Sequence, residues 1–63
     1  MHTYVRLKDG EIWVVWSDNS KEETMDIYPL SMVEWFNPEW DAVRSVSYSE
    51  VDETDTNLSV LQR

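Results

Sequence analysis

Thr3-Tyr4-Val5-Arg6-Leu7-Lys8-Asp9-Gly10-Glu11-Ile12-Trp13-Val14-Val15-Trp16 decides the fold of this 63-residue chain. Two runs rich in β-branched and aromatic residues flank Asp9-Gly10. Asp-Gly in that setting is a strong hairpin signal, because a type I′ turn needs φ > 0 at both central positions. A two-residue loop pairs Lys8 with Glu11, Leu7 with Ile12, Arg6 with Trp13, Val5 with Val14, Tyr4 with Val15 and Thr3 with Trp16. In that register Val5, Leu7, Ile12, Val14 and Trp16 form a core face. The Lys8–Glu11 pair, Arg6 over Trp13, and Tyr4 against Val15 point outward. Side chains alternate with period two, so a slip of one residue would exchange the faces.

Beyond the hairpin, Ser17–Glu23 is polar and rich in turn formers, and reads as a loop. Thr24–Tyr28 alternates again and gives a third strand, ended by Pro29, which cannot donate to a ladder. Ser31-Met32-Val33-Glu34 matches a capping box. The helix it starts could reach only Phe36, because Asn37 precedes Pro38 and is pushed out of the α region. Asn37-Pro38-Glu39 resembles a second helix start. Ala42–Val51, with serines at alternate positions and β-branched neighbours, favours a strand carrying Arg44, Val46 and Tyr48 on one face. Asp52–Asn57 reads as an acidic loop or disordered stretch, and Leu58, Val60 and Leu61 as a short docking strand or a frayed end.

The expected architecture is mostly β: an N-terminal hairpin extended to a 4–5-stranded antiparallel curled sheet or SH3-like barrel, with one or two short helical turns. The SH3 comparison concerns shape alone, and no stretch carries the motif of a known family. Residues 1–51 are expected to form one small β domain, and 52–63 an acidic segment that is either flexible or adds a strand.

A chain this short buries only about 60% of the surface its unfolded form exposes. With no cysteine, neither disulfides nor thiolate metal sites can reinforce it. Four Trp, three Tyr and one Phe supply the burial instead, and a homodimer is the other route to added buried surface. No window approaches the apolar run of about 18 residues that a membrane span needs. Met1-His2-Thr3-Tyr4 lacks the character of a signal peptide, and the missing cysteines fit a reducing cytoplasm.

Thirteen acidic residues against five basic give a net charge of −8. Asp9, Glu11 and Asp18 are matched by Arg6, Lys8 and Lys21. The other ten acids, within residues 22–62, face Arg44 alone. Such a field repels nucleic acid and anionic membrane and attracts basic surfaces. Nucleophilic catalysis needs a base oriented beside the nucleophile, and the single histidine is at position 2. Gly10 is the only glycine and the turn requires it, so no phosphate-binding loop exists. Asp52-Glu53-Thr54-Asp55 lacks the glycine and alternating acids of a calcium loop. No enzyme activity, cofactor or metal is expected.

What remains is an interface. Met32–Asp41 packs Trp35, Phe36 and Trp40 among Glu34, Glu39 and Asp41, and large aromatics are the usual interface anchors. Glu50, Asp52, Glu53 and Asp55 could imitate a line of phosphates. The lead expectation is a small acidic inhibitor or adaptor docking the basic, nucleic-acid-binding surface of a larger protein. Its contacts would be Glu39, Asp41, Glu50, Asp52, Glu53 and Asp55, with Trp35, Trp40, Trp13 and Tyr28 as anchors. Anti-CRISPR proteins, anti-restriction proteins and uracil-glycosylase inhibitors, typical of phage and mobile elements, resemble it in size and charge only. The alternative is an SH3-like interaction module binding through Trp13, Tyr4 and Tyr28. A third reading makes the acidity a salt adaptation.

Overall fold

The structure, a computed structural model, describes residues 2–33 and 40–62. Five antiparallel strands, β1 Tyr4–Leu7, β2 Ile12–Asn19, β3 Thr24–Pro29, β4 Arg44–Ser47 and β5 Val51–Asp55, form one sheet in the order β4-β3-β2-β1-β5. The short helix α1, Leu58–Leu61, follows β5. The expected mostly β class with short helical turns is the fold found, in its open-sheet form, since β4 and β5 do not pair. Yet these two edge strands are joined only by the 3₁₀ turn Tyr48–Glu50. Laid flat, the edges would be separated by four spacings, roughly 19 Å, whereas a 3₁₀ turn rises only about 2 Å per residue. The sheet is therefore strongly curled, with a concave and a convex face.

The first hairpin forms, but in a different register. Gly10 N–H bonds to Leu7 O and Leu7 N–H to Glu11 O, each at 2.9 Å, so the loop is the three residues Lys8-Asp9-Gly10. Strand partners become Tyr4 with Val14, Val5 with Trp13 and Arg6 with Ile12. Gly10 has φ +93°, and Asp9 is not among the residues with positive φ. A three-residue loop needs the left-handed conformation only at glycine, whereas type I′ would impose it on Asp9 too. Asp9 Oδ1 also accepts from Glu11 N–H at 2.9 Å, an Asx contact that favours the longer loop.

The one-residue change exchanges half the hairpin. Val5 and Leu7 share the concave face with Trp13 and Val15 instead of Val14 and Trp16. The concave core consists of Val5, Leu7, Met25, Ile27 and Val46, with Trp13, Val15, Tyr48 and Val51 packed at its margin. Val14, Tyr28 and Leu61 are buried too. The register places Val14 and Tyr28 on the convex face, where the Leu61 carbonyl meets Arg6.

Other boundaries also differ from the sequence expectation. β2 runs on to Asn19, so the loop is Ser20–Glu23. Ser31 does not cap a helix: the 3₁₀ turn Leu30–Met32 starts after Pro29 without a side-chain cap. Glu34 and Asn37-Pro38-Glu39 lie outside the described residues, and Trp40–Ala42 forms a further 3₁₀ turn. The capping box occurs instead at Ser47/Glu50, and it ends the strand read over Ala42–Val51 at Ser47. Asp52–Asp55, read as a loop, belongs to β5 and pairs with β1. Leu58–Leu61 is helical rather than extended, because the Asn57 side chain caps it by accepting from Ser59 N–H. No helix among the described residues is long and apolar enough to cross a membrane.

Candidate protein-docking surface

β2 carries a bulge. Val15 pairs with Ile27 and Ser17 with Asp26, leaving Trp16 as the extra residue. Alternation from Trp13 and Val15 puts the Trp16 ring on the convex face, edge-on to Tyr28 at 6.2 Å between centroids, and the bulge brings Ser17 onto that face as well, opposite Asp26. Trp16 is 39% exposed, the one large hydrophobic side chain exposed among the described residues. On the neighbouring strand Tyr4 lies opposite Val14, and His2 sits against Tyr4 at 6.4 Å. His2, Tyr4, Trp16 and Tyr28 thus surround Val14 as an aromatic patch across β1, β2 and β3. Burial, and secondarily the nearby Tyr4 hydroxyl, push the Tyr28 pKa above its ordinary value.

Two carboxylates on the same face bracket the patch. Asp26 on β3 accepts from Ser17 Oγ at 3.1 Å. Asp55 on β5 is the strand partner of Tyr4 and accepts from Asn57 N–H at 2.8 Å. Each is held in place by that contact.

The residues expected to meet a partner are dispersed. Arg6 donates to Asp52 (2.9 Å), to Glu53 (3.3 Å) and to the Leu61 carbonyl (2.8 Å). Glu50 accepts from Ser47 N–H and lies 3.7 Å from Arg44. Three of the proposed phosphate mimics therefore face an internal arginine. Asp41 is exposed. Trp13 lies on the concave face, half-buried, with the Arg44 guanidinium 5.7 Å from its ring centroid. Tyr28 is 3% exposed and forms the floor of the patch, not its rim. Trp35 and Glu39 lie outside the described residues, and Trp40 opens the turn Trp40–Ala42.

Sequence reasoning missed Trp16 and Asp26 as surface partners because the two-residue loop placed Trp16 in the core. A three-residue loop would have turned it outward.

Elsewhere, a surface pocket of about 230 Å³ is lined by Leu7, Lys8, Asp9, Arg44, Ser49 and Glu50. Its two cations are matched by two carboxylates, which gives it no preference for either charge. Among the described residues no His, Asp and Glu side chains gather closely enough to hold a metal ion. No family model, curated protein or solved structure matches this chain.

Proposed function

We propose that this chain acts by binding, as a small acidic inhibitor or adaptor that docks a basic, nucleic-acid-binding surface of a larger protein. The observation that carries this reading is how the charge is distributed. Among the described residues no charged side chain is buried. Arg6 and Arg44, two of the five basic residues, are engaged by Asp52, Glu53 and Glu50. The field outside the molecule is therefore set by carboxylates such as Asp9, Glu11, Glu22, Glu23 and Asp41, all exposed. A field of that sign steers a basic partner and rejects nucleic acid itself.

A second reading, an aromatic interaction module, is favoured by the convex patch, with Trp16 in place of Trp13 as its anchor. Ionic strength separates the two, since charge-driven docking weakens with salt and aromatic burial does not. The test is capture of partners on the immobilised chain at low and high salt, with and without excess duplex DNA. A nucleic-acid-binding protein released by both salt and DNA is the expected result. A partner that resists both would refute charge-driven docking.

A further inference from the structure

We propose that the outer edge of β5 takes up an extended, basic segment of the partner as a sixth strand, paired through the Thr54 backbone. This deepens the reading above and rests on it.

The backbone of β5 is paired on one side only. Leu7 bonds across the hairpin to Glu11 and Gly10, and Val15 N–H donates to Thr3 O, so the odd-numbered residues of β1 turn their backbone groups toward β2. The even-numbered residues turn theirs toward β5, as Lys8 does in donating to Glu50 O. In the β1–β5 register Tyr4 faces Asp55 and Arg6 faces Glu53. Those pairs carry the ladder, and Thr54, opposite Val5, points its N–H and C=O the other way. β5 is the last strand of the sheet, and Thr54 is exposed. α1 lies over the convex face, where the Leu61 carbonyl meets Arg6, whereas this edge faces sideways in the plane of the sheet.

The residues around Thr54 choose the occupant. Edge strands commonly avoid pairing by carrying Lys or Pro, and Val51–Asp55 has neither. It carries three carboxylates, Asp52, Glu53 and Asp55, against the single guanidinium of Arg6. Opposite charges across a strand pair attract and like charges repel. A second copy of the chain would set carboxylate against carboxylate, and a nucleic acid strand would bring phosphates. A strand with arginine at alternate positions brings cations beside Asp55 and Glu53, while its intervening residue bonds to Thr54. The bulge at Asp52 breaks the alternation, so the pairing is short and centred on Thr54. The opposite edge, β4, suits this occupant less: Ser47 N–H already donates to Glu50, and Arg44 places a cation on that strand.

The test uses the full chain, isotope-labelled, and a synthetic seven-residue peptide of alternating arginine and valine. Binding is followed by calorimetry at low salt and by amide hydrogen exchange. In the free chain the Thr54 amide should exchange faster than those of Glu53 and Asp55, and bound peptide should slow it. Thr54→Pro removes the outward N–H at a place where an edge strand tolerates proline, and should weaken binding about tenfold. Thr54→Val keeps the N–H and should bind as wild type does. Asp55→Asn, which can still accept from Asn57 N–H, should weaken binding about threefold. The same peptide with glutamate in place of arginine should not bind. Exchange in the wild-type chain decides the matter even if a variant fails to fold.

Peptide binding that leaves the Thr54 amide unprotected, or that a folded Thr54→Pro chain retains in full, overturns the edge while leaving charge-driven docking standing. No binding of this peptide or of polyarginine at low salt overturns both. Self-association that protects the Thr54 amide assigns the edge to a second copy and refutes the proposal.

Discussion

Replacing Arg6 by glutamine should destabilise the protein by about 2 kcal/mol, a large effect for a residue on the surface of a strand. Its guanidinium ties together three elements that are distant in sequence: β1, which carries it, β5 through Asp52 and Glu53, and α1 through the Leu61 carbonyl. The two carboxylates are 49% and 40% exposed, so solvent screens both ion pairs, and together they contribute about 1 kcal/mol. The 2.8 Å bond to the carbonyl is partly buried and contributes roughly another 1 kcal/mol. For a domain of this size, 2 kcal/mol lowers Tm by about 8–16 °C. Calorimetry gives the total. Native-state hydrogen exchange gives its location, with the amides of β5 and α1 losing protection before those of β2 and β3. Arg6→Lys, which keeps the charge but cannot form the fork, should lose an intermediate amount. In high salt the difference from wild type should shrink only to the part owed to the carbonyl bond. A Tm change below about 2 °C, or unchanged protection of β5, would refute the reasoning.

Other perturbations test the remaining parts of the structure. Gly10→Ala should cost about 1–2 kcal/mol by urea unfolding. A Cβ at that position meets nothing within 4 Å, so the cost comes from φ +93° alone. Ile27→Ala, at a fully buried position of the concave core, should cost about 2–5 kcal/mol and leave little folded protein by circular dichroism. The Tyr48 pKa is raised above 10.0, first because its hydroxyl donates to Asp18, then by desolvation and the charges of Asp18 and Glu23. Because the folded state holds that proton more tightly than the unfolded chain, the stability is fully present below about pH 10 and is lost as pH rises through the folded value. Tyr48→Phe should therefore flatten the alkaline fall in the urea midpoint, and the residual fall belongs to Tyr28, whose pKa is also raised.

Much of this architecture is local, and local chemistry is legible in a sequence. Asp9-Gly10 between alternating runs forces a reversal, and Pro29 closes β3. Even the capping box was a readable signal: the pattern occurs at both Ser31 and Ser47, and at Ser47 with Glu50 it is formed. The charge of −8, and hence the sign of the field around the molecule, is fixed by composition. What the sequence left open was register, because two- and three-residue loops both satisfy Asp-Gly, and the choice depends on whether Asp9 takes positive φ. That single residue decides whether Trp16 is core or surface. The place of β5 was equally hidden. Nothing in Val51–Asp55 distinguishes an acidic loop from an edge strand until Arg6, 46 positions before Asp52, supplies its counter-charge. Only the curled sheet brings that arginine to those carboxylates. Strands and turns were thus set by short-range sterics, whereas which side chains share a face was set by pairings across the chain, whose energies exist only once the sheet has formed.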